Sequence, residues 1–345
     1  MKRNALMDTL RLLVSFFVVL LHAPLPGALG EAAKPILRCA VPFFFMVSGY
    51  WLADNDMARV KARLDKQARR MFLLLAASCA AFFAMHIAYS AFVERTGFAA
   101  PFQTLFDYRA AASFLAFNNT DLFWPGGSAH LWFLAGLLYA LLLLRLALER
   151  LPLRRLYWSI PVLLAMAAPL AVLAARNIEA VQDRDMITRN FLFTGIPCVL
   201  LGMWLRQNGR KLKRLPDWAA AALPAACAAL CLLERHTLLR NPFELARIPL
   251  AASLALLGAR FPAMSAKTFL PRWGERYSLT VYIVHYPIVS ALKWLAQRGL
   301  PAQALAWGGA VIAFALALVF AMAWDWGKRK IMPRQFLHSA FSFLI

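Results

Sequence analysis

The chain has 345 residues, of which 61% are hydrophobic, and a formal net charge of +21 at pH 7. Its apolar runs recur along the whole length and are too long and unbroken for barrel strands, so they predict an all-α, polytopic membrane helix bundle. The basic residues fall in short segments between these runs, which indicates membrane topology rather than a nucleic-acid partner. We expect a single membrane domain over 1–345 with no appended soluble domain.

Ten candidate transmembrane spans fit the apolar runs. They cover about 5–23, 35–54, 71–93, 129–148, 157–175, 191–206, 217–233, 244–260, 277–297 and 304–324. With the N-terminus inside, Lys and Arg concentrate in the predicted cytoplasmic segments. This predicts about ten helices in a bacterial-type cytoplasmic (inner) membrane, with both termini in the cytoplasm. The N-terminus also resembles a signal peptide, but the polar residues that bracket its apolar run favour a retained first helix.

Arg11 and His22 lie within the first span. Eleven helical steps put both side chains on one face, roughly 16 Å apart, which is about half a bilayer. Each has an ordinary alternative, because Arg11 can snorkel to the cytoplasmic headgroups and His22 can lie at the far interface. As a pair on one face they are costly in lipid unless they face protein or water, and they therefore indicate a polar path.

Basic residues lie near both ends of the second span. Arg38, at its outer end, is either a snorkelling cation or a contact for an anionic glycan or a lipid phosphate. A basic loop then ends in Lys66, Arg69 and Arg70 at the start of the third span, where helical spacing makes them neighbours. They are candidates for clamping phosphates on the cytoplasmic side, unless the loop serves topology alone.

The longest predicted outer loop, about 94–128, is rich in aromatic residues. Its stretch 102–117 predicts a short helix that lies on the membrane or covers a cavity. His130 and Trp132 then open the fourth span from outside. Trp is common at membrane interfaces, so His130 is the stronger indication of a site.

Ser278, Tyr282 and His285 are spaced by four and three residues in the ninth span and share one helix face, with His285 near the bilayer midplane. The five cysteines show no metal-ligand spacing, and no His-Glu-x-x-His, nucleophile-elbow or Gly-x-Gly-x-x-Gly motif occurs. We therefore expect no metal. Intramembrane acids are nearly absent, so any chemistry must depend on histidine.

Four stretches resemble, in order, motifs of the acyltransferase 3 family, which are integral-membrane O-acyltransferases that modify surface polysaccharides. They are Asp8-Thr-Leu-Arg11 with His22, Pro42-Phe-Phe-Phe-Met-Val-Ser-Gly-Tyr50, His130-Leu-Trp-Phe-Leu134 and Ser278-Leu-Thr-Val-Tyr-Ile-Val-His285. The resemblance implies transfer of an acyl group, usually acetyl, from cytoplasmic acyl-CoA (acetyl-CoA) to a hydroxyl on an extracytoplasmic glycan or lipid-linked saccharide.

The resemblance also assigns roles to residues. Arg11 and His22 match the essential Arg–His pair of the family, and Lys66-x-x-Arg69 occupies the place of its Arg-x-x-Arg motif, with Lys for the first Arg. A neutral imidazole suits removal of a hydroxyl proton near pH 7, so we assign His22 as the general base. Arg11 then holds the CoA end or the thioester carbonyl.

The remaining candidates divide into a donor side and an acceptor side. Lys66, Arg69 and Arg70 would bind the CoA phosphates. Arg38, His130, Trp132, Tyr282 and His285 would line the acceptor side or the tunnel, and a sugar ring could stack on Trp132 or Trp124.

Two other functions stay open at this stage. The same polar path would serve a transporter that exports a small or glycan-linked substrate without covalent chemistry. Alternatively, the chain is the membrane module of a sensor or of an amino-acid-handling protein, similar to the transmembrane half of membrane-bound serine racemases, although we expect no fused racemase domain. The expected partners are membrane lipid, acyl-CoA and a saccharide acceptor. The sequence leaves the oligomeric state open.

Overall fold

The computed structural model describes residues 4–177, 189–236, 244–299 and 301–331. Regular structure in these ranges is entirely helical. In chain order the α-helices are α1 (Ala5–His22), α2 (Gly27–Leu37), α3 (Ala40–Leu52), α4 (Met57–Tyr89), α5 (Ala100–Leu105), α6 (Tyr108–Phe117), α7 (Trp132–Arg150), α8 (Leu153–Leu156), α9 (Ser159–Asn177), α10 (Ile196–Gln207), α11 (Gly209–Leu212), α12 (Asp217–His236), α13 (Arg247–Arg260), α14 (Leu270–Ala296) and α15 (Ala302–Ile331). The prediction of an all-α fold is confirmed.

Seven helical stretches of the described residues are long and apolar enough to cross a membrane. They are Ala5–His22, Gly27–Leu52, Met57–Glu94, Ala129–Arg150, Asp217–Arg235, Leu270–Ala296 and Ala302–Lys330. Phe191–Gln207 is a shorter apolar helix, and α13, at 14 residues, is about 21 Å long, less than the roughly 30 Å of a hydrocarbon core. The chain is thus a multi-pass membrane protein by helix length and composition, while the count of about ten spans and the orientation of both termini stay predictions.

The chain divides into two compact units. The first takes the described residues of Met1–Val47, Asn208–Leu239 and Ala246–Ile345, and the second takes those of Ser48–Gln207 and Arg240–Leu245.

In the first unit, α1 packs along α14. Asp8 lies beside Gly274 and His22 lies beside His285, so the two helices run parallel. Gly274 permits this packing because a Cβ atom there would stand 1.7 Å from the carbonyl oxygen of Asp8. α15 completes the core with a stripe of small residues, Ala310, Ala313, Ala317 and Ala321, which pack with Leu12, Val19, Val281 and Val289.

The second span of the sequence is interrupted at Arg38 and Cys39, between α2 and α3. Pro42 explains the break, because it lacks the N–H group that would bond the carbonyl of Arg38 four residues before it. Helical bonding resumes where Phe43 donates to the carbonyl of Cys39 at 2.9 Å. Arg38 therefore lies in a two-residue turn between two helices.

In the second unit, α4 packs antiparallel to α7, since Lys61 pairs with Glu149 at 2.9 Å and Asp65 pairs with Arg145 at 3.0 Å. The sequence predicted a basic loop before the third span, and this was wrong: α4 begins at Met57, capped by Asp56. The basic segment is rich in good helix formers, and two of its charged residues also pair with residues of α7.

The junction between α3 and α4 is fixed by Arg63, which donates to the carbonyl of Ala53 at 2.9 Å and pairs with Asp54 at 2.7 Å. The pKa of Asp54 is lowered, first because its carboxylate accepts the backbone N–H of Asp56 and also because Arg63 is close. On the same side of the unit, Gly49 lies against the carbonyl of Val199, where a Cβ atom would come within 1.9 Å.

Candidate functional site

A pair of imidazoles joins α1 and α14. His22 is the last residue of α1, and its ring centroid lies 5.1 Å from that of His285 in α14. The ring of Tyr286 stands edge-on to His22 at 4.9 Å. His285 is fully buried, whereas His22 is half-buried. Of the two imidazoles, His22 is thus the one with surface available to a substrate.

His285 is oriented by its own helix. Its Nδ1 lies 2.6 Å from the carbonyl oxygen of Tyr282, and since a carbonyl only accepts, Nδ1 must be the donor. A neutral His285 then carries its lone pair on Nε2. The ring of Tyr282 is 5.9 Å away and 2% exposed. One turn below, the buried hydroxyl of Ser278 has no hydrogen-bond partner within the described ranges.

Arg11 lies at the other end of α1. Its guanidinium pairs with Asp8 at 3.4 Å, and its side chain is 23% exposed. This end of α1 is anchored, because the Asn4 amide donates to the carbonyl of Gly258 at 2.9 Å. Arg11 and His22 are separated by about 16 Å of helix and therefore do not contact the same small group.

The predicted phosphate-binding residues lie within α4. Lys66 and Arg69 are exposed and Arg70 is half-buried. Arg69 lines an open groove of about 260 Å³ between α4 and α7, together with Asp65, Ala68, Phe72, Leu138 and Leu142. Asp65 is neutralised by Arg145 of α7, so the acidic group in this groove already has a partner.

A second histidine cluster lies in the second unit. The ring of His86 stacks on Trp124 at 6.1 Å and 10°, and Phe82 lies 5.1 Å from His130 and 6.3 Å from Trp124. Tyr89 adds a partly exposed ring 5.7 Å from Trp124. The sequence reasoning missed His86. Its spacing of four residues from Phe82 and three from Tyr89 was the available signal, since all three then share a helix face.

The loop that carries Trp124 is rigidly held. Ser128 and Thr120 exchange hydrogen bonds, each hydroxyl donating to the other's carbonyl at 2.6 and 2.7 Å, and Ser128 Oγ also accepts the backbone N–H of Trp124 at 3.0 Å. Gly127 lies under the indole, where a Cβ atom would come within 2.3 Å of the ring. Trp132 begins α7, and its carbonyl accepts from Asn118 at 3.4 Å.

A comparison with known protein families places the chain. The sequence model of the family Acyl_transf_3, described as an acyltransferase domain, matches residues 4–325. The chain belongs to the acyltransferase 3 family. No curated protein and no solved structure matches it.

Family membership confirms the resemblance inferred from the motifs. Together with the apolar helices, it identifies the chain as a membrane acyltransferase. The match includes α1, α4, α7 and α14, which carry the candidate residues of this acyltransferase 3 protein. No group of three or more His, Cys, Asp or Glu residues suited to a metal ion occurs in the described ranges.

Proposed function

We propose that this acyltransferase 3 protein is an O-acetyltransferase of a bacterial cytoplasmic membrane. It takes the acetyl group from cytoplasmic acetyl-CoA and transfers it to a hydroxyl of an extracytoplasmic glycan or lipid-linked saccharide. The observation that supports this proposal most is the contact between His22 and His285, two imidazoles held by parallel helices in an otherwise apolar core.

His22 is the general base in this proposal, because it is half-buried at a helix end while His285 is enclosed. His22 takes the proton of the acceptor hydroxyl, whose oxygen attacks the thioester carbonyl. The new C–O bond forms, the C–S bond breaks, and the proton passes from the imidazolium to the departing sulfur of CoA. His285 and Tyr286 hold the His22 ring, with His285 itself fixed by the carbonyl of Tyr282.

On the donor side, Lys66, Arg69 and Arg70 bind the CoA phosphates. Lys66 makes no ion pair in the part of the chain that the structure describes, and the exposure of Lys66 and Arg69 suits contact with a large anionic ligand. Because Lys66 replaces Arg at the first position of the motif, it contacts phosphate as a single point charge and cannot make the bidentate contact of an Arg. Arg11 contacts the donor at its own end of α1.

On the acceptor side, the aromatic and histidine cluster of the second unit is a platform for a sugar ring. Trp124, with Tyr89 beside it, offers the partly exposed ring face, and His130 and Trp132 follow on the same loop and helix. Arg38, in the turn between α2 and α3, supplies a cation for an anionic acceptor. Tyr282 and His285 lie beside the base in the first unit.

The test measures acetyl-CoA binding to purified protein and release of the CoA thiol in membranes of the expressing strain. His22→Ala should bind acetyl-CoA as the native chain does and lose about 10²- to 10⁴-fold in turnover, the usual contribution of a general base. A folded His22→Ala variant with full turnover would refute the assignment.

The donor side has a matched control. Replacing Lys66, Arg69 and Arg70 together by Gln should abolish saturable binding. Replacing Arg150, Arg154 and Arg155 by Gln removes the same number of positive charges from another basic cluster. This variant should bind acetyl-CoA within a few-fold of the native chain. If both variants lost acetyl-CoA binding equally, the loss would be due to the change in net charge and not to a specific phosphate site. Binding without any thiol release by the native chain would favour the transport function instead.

A further inference from the structure

From Phe72 onward, the exposed surface of α4 is apolar and forms a stripe along the helix. Its exposed positions there recur in pairs every four residues, at 72–73, 76–77, 80–81, 84–85 and 88–89, and all of them are apolar or aromatic. Residues between these pairs are buried in the second unit, as at Leu75 and Phe82. On a helix long enough to cross a membrane, such a stripe is the surface that faces lipid.

This stripe does not end with the helix. After a π-helical turn over Ser90–Glu94, the chain continues through α5 and α6, and its large apolar side chains stay exposed. The exposed fractions are 75% for Phe92, 61% for Phe98, 80% for Phe106, 73% for Tyr108 and 69% for Leu115. So many large exposed apolar side chains within one segment mark an interaction site rather than a water-facing loop.

Helix α6 shows the same property on a single element. Its inner face is fixed to the second unit, since the ring of Phe114 packs against Phe123 at 5.5 Å and Tyr139 at 6.2 Å. Its outer face carries Tyr108 and Leu115, with Ala112 between them, all exposed. A helix on an aqueous surface would present polar residues there, whereas the exposed residues of α6 are apolar or aromatic apart from Arg109 in its first turn.

We infer that the segment 92–117, here called the aromatic hairpin, is embedded in the membrane surface. Its aromatic side chains enter the boundary between headgroups and acyl chains, about 5–10 Å deep, as amphipathic interfacial helices do. The lipid surface is the occupant because the hairpin continues the lipid-facing stripe of α4. Arg95 and Arg109, both exposed, lie where their cations can reach lipid phosphates.

The inference is independent of the proposed acetyl transfer, and site-directed spin labelling tests it. Three alanines, all exposed, are replaced one at a time by Cys: Ala112 on the outer face of α6, Ala81 within the stripe of α4, and Ala58 at the charged start of α4. The native cysteines are buried, and the unsubstituted chain serves as the labelling blank. The full chain is reconstituted in vesicles of phosphatidylethanolamine and phosphatidylglycerol, and collisions with oxygen and with a water-soluble nickel chelate are measured.

The label at Ala81 gives the collision rates expected for a side chain in lipid, and the label at Ala58 gives those expected in water. At Ala112 we expect nickel collisions several-fold fewer than at Ala58, with oxygen collisions at least as frequent. Nickel access equal to that at Ala58 would overturn the inference and make the hairpin an aqueous loop. Low access to both reagents would also overturn it, in favour of cover by a second copy or another protein. Ala116, also exposed on α6, provides a second position if the Ala112 variant does not fold.

Discussion

The close contact of α1 and α14 at Gly274 predicts the effect of adding one methyl group. In Gly274→Ala the new Cβ atom would stand 1.7 Å from the carbonyl oxygen of Asp8, and contacts under 3.0 Å do not occur. The obstacle is backbone, so the helices must separate by at least about 1.3 Å at this level. Overpacking of this kind lowers the free energy of unfolding by about 1–3 kcal/mol. The higher helix propensity of Ala offsets about 1 kcal/mol of this loss.

The same separation reaches the proposed reaction site. His285 lies three turns beyond Gly274 on α14 and contacts His22 on α1, so a displaced α14 carries one imidazole away from the other. A misplacement of about 1 Å can cost roughly 10²-fold in rate. We therefore expect Gly274→Ala to lower both the melting temperature in detergent and the rate of the proposed acetyl transfer, the rate by 10-fold or more.

Gly309→Ala is the matched control, because Gly309 lies inside α15 and a Cβ atom there meets nothing within 4 Å. That variant should be as stable as the native chain or more so, with unchanged rate. The assays are a thermal melt followed by tryptophan fluorescence and the release of CoA thiol. If the two glycine variants behave alike, the packing explanation is wrong.

Three further substitutions are expected to act locally. Tyr50→Phe removes the hydrogen bond that Arg206 donates at 2.8 Å but keeps the cation–ring contact at 4.9 Å, so it should cost about 1 kcal/mol, measured as a small fall in melting temperature. An unchanged melting temperature would show that this hydrogen bond does not contribute to stability. Gly127→Ala must displace the Trp124 ring, so we expect the KM for acceptor to rise while acetyl-CoA binding stays native; weakened acetyl-CoA binding would contradict this. Arg63→Lys keeps the charge but loses the two-pronged contact at the end of α3, and should lower the melting temperature more than Tyr50→Phe does.

The sequence was a good guide wherever a single helix decides the outcome. The apolar runs predicted an all-helical membrane protein, and the motifs around Arg11, His22, His130 and His285 predicted its family, both of which are confirmed. The roles of these residues in catalysis stay predictions.

The sequence was less successful in predicting where helices begin and end. The stretch 102–117 is two helices, α5 and α6, because Asp107 caps the second by accepting from the N–H of Arg109.

Contacts between distant segments required the tertiary structure. The sequence by itself determined which segments are apolar and that His22 and His285 lie on helical faces, because hydrophobicity and the 3.6-residue period are local properties. It did not determine that the two imidazoles meet, or that His86 stacks on Trp124. Those pairings depend on which helices pack together and at what register. In the first unit the register is set by a glycine that lets two backbones touch, a condition that is visible only when both helices are in place.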